Sequence, residues 1–86
     1  SDEIIPTLSI YPNPANQFIY IGGFAESENY SVEWMDMKGA IVKQEKVQVT
    51  GSDIMLHVPE RIANATYLLR LKSNKNLYSF RVEVSK

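Results

Sequence analysis

Apolar residues recur at every second position along most of the chain, and nowhere do they keep a 3.6-residue spacing over three turns. Side chains at every second position share one face of a strand, so this pattern buries one side of a sheet and cannot form the apolar stripe of a helix. Leu8-Ser9-Ile10-Tyr11 alternates, and Phe18-Ile19-Tyr20-Ile21 follows until Gly22-Gly23. Tyr30, Val32 and Trp34 share one face of a third strand, with Ser31 and Glu33 opposite. Ile41 to Val49 is long and polar. Ile54, Leu56 and Val58 alternate with Met55 and His57, and Tyr67, Leu69 and Leu71 alternate with Leu68, Arg70 and Lys72. Phe80, Val82 and Val84 close the series, with Ser79, Arg81 and Glu83 opposite. Seven short strands at roughly 8–12-residue spacing predict an all-β antiparallel sandwich, with a small open barrel as the alternative. At 86 residues the chain has room for one such domain.

The breaks between strands carry their own chemistry. Tyr11-Pro12-Asn13-Pro14 ends the first strand, because two prolines lack the N–H a ladder needs; Asn13 is expected to hydrogen-bond locally at that corner. Asp36-Met37-Lys38-Gly39 is a hairpin signal, with Asp36 capping the turn and Gly39 taking the positive φ. Lys43, Gln44, Glu45, Lys46 and Gln48 mark an edge strand whose charges discourage unwanted pairing. Pro59 to Asn64 is expected to be a loop or a single helical turn. Residues 1–7 are expected to be a tether entering the domain, and 8–86 the folded domain.

Reactive chemistry has few residues to draw on. There is no cysteine, which removes thiolate metal ligands, thiol nucleophiles and disulfides. The single histidine, His57, falls on the polar side of its strand, so it is expected to be solvated. Asp2, Glu3, Glu26, Glu28, Asp36, Asp53 and Glu60 fall mostly in turns and the tether, without a spacing that forces two carboxylates together. Gly22-Gly23 lacks the helix that a phosphate loop requires. A net charge of −1 supplies no basic field for nucleic acid. No apolar run approaches the ~18–20 residues of a membrane span, and Ser1-Asp2-Glu3 does not open a signal peptide. Trp34 is in register with Tyr30 and Val32, which makes it a core residue rather than a sugar platform. These features predict a non-enzyme with no catalytic residue, no cofactor and no metal.

Three segments, in this order and spacing, carry a family resemblance: Leu8-Ser9-Ile10-Tyr11-Pro12-Asn13-Pro14-Ala15, Trp34-Met35-Asp36-Met37-Lys38-Gly39, and Ala65-Thr66-Tyr67-Leu68-Leu69-Arg70-Leu71 with a hairpin, an amphipathic strand and Lys86 after it. The chain resembles the type A C-terminal sorting domain of the type IX secretion system (Por) of Bacteroidetes from Leu8 to Lys86. Tyr11, Pro12, Asn13, Pro14, Asp36 and Gly39 are its motif residues. The family usually has glycine where Ala65 stands.

The resemblance implies an Ig-like β-sandwich at the C-terminus of a cargo protein. It implies passage through the periplasm and then delivery to the cell surface, the outer membrane or the medium. The implied partners are the type IX translocon, an outer-membrane shuttle barrel and a surface sortase. A signal read by a protein receptor needs a presented edge or face. The final hairpin, Thr66 to Ser73 with Leu77 to Val84, is the expected readout. Tyr67, Arg70, Phe80, Arg81, Glu83 and Lys86 are its candidate recognition residues. Tyr67 and Phe80 are also expected in the core, whereas Arg70, Arg81, Glu83 and Lys86 are expected to point outward. Strand edges also allow a dimer by sheet extension or strand swapping. The competing expectation is an Ig-like or fibronectin-like adhesion module, carbohydrate among its ligands, presenting Trp34, Tyr20 or Tyr78.

Overall fold

The computed structural model describes residues 8–86; the expected tether, residues 1–7, lies outside them. Seven strands form: β1 (Ser9–Tyr11), β2 (Phe18–Gly22), β3 (Glu28–Met35), β4 (Ile41–Val49), β5 (Asp53–His57), β6 (Ala65–Lys72) and β7 (Leu77–Val84). They assemble as a three-stranded sheet, β1-β2-β5, and a four-stranded sheet, β4-β3-β6-β7, with every strand pair antiparallel. The all-β sandwich expected from the alternation is the observed fold. Pro59 to Asn64 resolves as a turn and loop without a helical segment.

The inner faces supply one core. Ile19, Ile21 and Leu56 from the three-stranded sheet meet Val32, Trp34, Leu69, Leu71 and Val82 from the four-stranded one. Trp34 is fully buried, as its register with Tyr30 and Val32 required. Fully burying an aliphatic side chain contributes roughly 1.5–3 kcal/mol, so this cluster is the main source of stability.

The β3–β4 hairpin forms by the expected turn chemistry. The Asp36 carboxylate accepts the N–H groups of Lys38 and Ala40, both at 2.9 Å. Gly39 has φ +93°, and nothing lies within 4 Å of where a Cβ would project. Backbone conformation, not space, therefore selects glycine here. Next to this turn, Trp34 pairs with Lys43 while Met35 pairs with Ile41, so Val42 is the extra residue of a bulge. Ala65, where the family usually has glycine, opens β6 opposite Val84 with φ in the ordinary negative range, so this backbone position needs no glycine.

β4 and β7 are the two edges of the larger sheet, which bears out the edge assignment for β4. The β4 charges are placed in an unexpected way. Lys43 and Glu45 stand opposite Trp34 and Val32 and so share their inner face. The two form an ion pair at 3.2 Å on that face, at its open margin.

Candidate functional site

The C-terminal hairpin is the candidate site, and its turn is fastened to the start of β3. Ser73 N–H donates to Asn76 O at 2.9 Å, and the Ser73 hydroxyl accepts the N–H groups of Lys75 and Asn76 at 3.2 and 3.0 Å. Asn76 Nδ2 in turn donates to the Glu28 carboxylate at 3.2 Å, which also accepts the Tyr30 hydroxyl at 3.3 Å. The Ser73 hydroxyl beside it, and then Asn76, Tyr30 and the Lys75 charge, hold the Glu28 carboxyl below its ordinary value against the opposing effect of desolvation. Burial and the Glu28 charge push the Tyr30 phenol up to about 12. Tyr30 also packs with Phe24 and Tyr78 as an aromatic trio, ring centroids 5.5 to 6.5 Å apart.

The far side of β7 meets the Pro-Asn-Pro segment. Asn13 Nδ2 donates to Arg81 O at 3.2 Å, and Glu83 N–H donates back to Asn13 Oδ1 at 3.0 Å. Two residues on, Ala15 N–H donates to Glu83 O at 2.7 Å and Ser85 N–H donates to Ala15 O at 2.8 Å. The Asn13 amide thus imitates a paired backbone, and Ala15 forms a parallel bridge to Val84. This corrects the expectation that Asn13 bonds locally. With a proline on either side its backbone cannot enter a regular ladder, so its side chain supplies the donor and acceptor across 68 and 70 residues. Both X-Pro bonds of the segment, Tyr11–Pro12 and Asn13–Pro14, are cis.

The chain end is also held. Lys86 N–H donates to Asn64 Oδ1 at 2.9 Å, and its ammonium donates to Pro59 O and Glu60 O at 2.8 and 2.7 Å. Lys86 therefore docks the C-terminus on the β5–β6 loop. The residue is exposed, as expected, with its ammonium held on those two carbonyls. Beside it opens a cleft of ≈ 1320 Å³ lined by His57, the 58–63 loop, Tyr67 and Lys86.

The other candidate residues divide by strand face. Tyr67 is buried and its hydroxyl donates to Ala63 O at 2.7 Å, the tyrosine-to-upstream-carbonyl bond found in Ig-like sandwiches. Phe80 is half-buried against the core. Arg70 lies half-buried on the outer face, 3.9 Å from Glu33, which is a distant pair. Arg81 and Glu83 are exposed on that same outer face. Of the motif residues, Asp36 and Gly39 build the β3–β4 turn, whereas Asn13 touches β7 directly. Tyr11 is 51% exposed and stacks on Tyr20 at 5.5 Å, on the outer face of the three-stranded sheet.

Sequence reasoning missed Ala15, Asn64 and the inward pair Lys43–Glu45. Ala15 carried no signal except its place in the motif, since its role lies in backbone groups. Among the described residues no three His, Asp or Glu side chains gather to hold a metal, and no helix is long and apolar enough to cross a membrane.

Comparison with known proteins gives one positive result. A family model described as a secretion system C-terminal sorting domain matches residues 9–84. No curated protein and no solved structure shows a match.

Proposed function

This chain belongs to the secretion system C-terminal sorting domain family, the sorting signal of type IX export across the outer membrane, and from that premise we propose that its C-terminal hairpin is what the export machinery recognises. In this reading an attached cargo passes through the periplasm. The translocon, an outer-membrane shuttle barrel and a surface sortase then engage the folded domain in turn, and the domain itself carries out no catalytic step.

One observation carries the reading. The Pro12-to-Ala15 segment and the last strand, at opposite ends of the match, are hydrogen-bonded into one unit by Asn13 and Ala15. Two of the three resemblance segments therefore bear on a single surface at β7. The test is a fusion of the 86 residues to a periplasmic reporter in a type IX-competent host. Translocon-dependent appearance of the reporter on the surface supports the proposal; surface delivery that persists without Leu77–Lys86 would exclude the hairpin as the signal.

A second reading, a carbohydrate-binding module, draws on the outer face of the three-stranded sheet. Tyr11, Phe18, Tyr20 and Met55 are all exposed there and neighbour one another across the strands. Trp34 has no part in it, being buried, and Tyr78 is half-buried in the aromatic trio. Glycan retardation in affinity electrophoresis, abolished by Tyr20→Ala, would favour this second reading.

A further inference from the structure

Among the described residues, the free edge of β7 is closed over only half its length. In an antiparallel hairpin, backbone groups point alternately toward and away from the partner strand. The Ser73–Asn76 bond places Tyr78, Phe80, Val82 and Val84 on the side that pairs with β6, so the odd-numbered residues turn their N–H and C=O groups to the open edge. Asn13 and Ala15 occupy Arg81 O, Glu83 N–H, Glu83 O and Ser85 N–H. Leu77 and Ser79, with the N–H of Arg81, have no backbone or side-chain partner beyond β7 among the described residues. The open stretch runs from 77 to 81, about 16 Å at 3.3 Å per residue.

Its two flanks differ in chemistry. Toward the core side, Tyr78 and Phe80 are only partly covered. On the outer side, Leu77 is 56% exposed and Arg81 is exposed, with Arg70 and Lys72 on the adjacent strand β6. The outer face of the whole four-stranded sheet carries Lys46, Arg70, Lys72 and Arg81 against Glu33 and Glu83, a local cationic excess in a chain whose net charge is −1.

We propose that Leu77–Arg81 is a docking edge for an extended partner segment that alternates apolar and acidic residues. The inference rests on the sorting reading and names the chemistry of the partner at that same site. The segment adds a strand to β7, pairing with Leu77, Ser79 and the N–H of Arg81. Its apolar residues cover Tyr78 and Phe80, and its carboxylates face Arg81, Arg70 and Lys72. Asn13 and the two prolines stop the added strand at Arg81 and thereby fix its register. A second copy of β7 fits less well: residues 77–81 hold no acid, so two copies would set their cationic faces side by side.

The full chain is titrated in NMR with acetyl-Val-Glu-Val-Glu-Val-amide and, separately, with the same peptide carrying Lys for Glu, each to about 5 mM, where millimolar affinity is visible. The acidic peptide is expected to shift the amides of Leu77, Ser79 and Arg81 and to bind at least about tenfold more tightly than the basic one, a difference of about 1.4 kcal/mol. Ser79→Pro should abolish binding and keep the fold, since the lost N–H faces the open edge. Arg81→Glu should reverse the preference between the two peptides, and it tests the proposal should the proline variant fail to fold. Equal binding of both peptides, shifts confined to another face, no shift at the highest concentration, or self-association through the same amides would each overturn the proposal. The assay contains no secretion machinery, so a negative result here leaves the outcome of the reporter fusion to stand by itself.

Discussion

The two edges of the four-stranded sheet are protected by different means. On β4, Lys43 and Glu45 turn inward beside Val32 and Trp34, so any strand added there would bury two charges against its own inner face. β7 places no charge on its inner face, where Tyr78, Phe80, Val82 and Val84 alternate. Asn13 and Ala15 cover it from Arg81 onward, and among the described residues nothing covers the first part. One edge is thus refused to partners along the inward pair, and the other is refused over one half only. A barrier of charge is indiscriminate, whereas a partial cap leaves a stretch of defined length and register.

The largest expected effect comes from removing the β4 barrier. Lys43→Val with Glu45→Val should turn that edge apolar and produce self-association at a concentration at least about tenfold lower than the native chain shows, read by sedimentation. Unchanged sedimentation would mean that the inward pair is not what guards β4.

A second change acts beneath the open half of β7. The Tyr30 phenol, which packs on Tyr78, is raised from 10 to about 12. A raised value means that the folded chain holds its proton more tightly. The resulting stabilisation is therefore complete below pH 10 and is lost as pH climbs through about 12. The unfolding free energy from denaturant titrations should fall across that window by about 1–3 kcal/mol, and Tyr30→Phe should flatten the fall.

Asn13→Ala should cost about 1–2 kcal/mol, because the Arg81 carbonyl and the Glu83 N–H lose their partner together. It should also extend the open stretch of β7, speeding amide exchange at Glu83 while leaving β4 unaffected. Lys86→Met should be milder, about 1 kcal/mol, since solvent can replace the ammonium at the Pro59 and Glu60 carbonyls. The smallest effect is acidic. Glu28 is held below 4.5, so its contribution is present above that value and fades as pH falls through the lowered one. Glu28→Gln should remove this acid dependence from the exchange of the Asn76 amide.

The strands and the inner face were legible wherever one side of a strand was plainly apolar. Tyr67, Leu69 and Leu71 declared their burial by alternation, and Ile41–Val49 was found with its observed limits. The inward turn of Lys43 and Glu45 was not legible, because both sides of β4 are polar and the face is set by its register against Trp34 and Val32. The exposed strip of Tyr11, Phe18 and Tyr20 was hidden for the opposite reason: both sides of β2 are apolar, and period two does not say which is inside. At the site, Arg81 and Glu83 were placed correctly from alternation. The partners of Asn13 and Lys86 were out of reach, since local chemistry names a donor or acceptor without saying which distant carbonyl meets it.

The half-closed state of β7 is measured most directly by amide hydrogen exchange along the native chain. Slow exchange is expected at Glu83 and Ser85, whose N–H groups are held by Asn13 and Ala15, and fast exchange at Leu77, Ser79 and Arg81. Tyr78, Phe80, Val82 and Val84, paired to β6, should be slow throughout. Exchange at Glu83 and Ser85 as fast as at Leu77 and Ser79, or equal protection at every odd-numbered position, would contradict it.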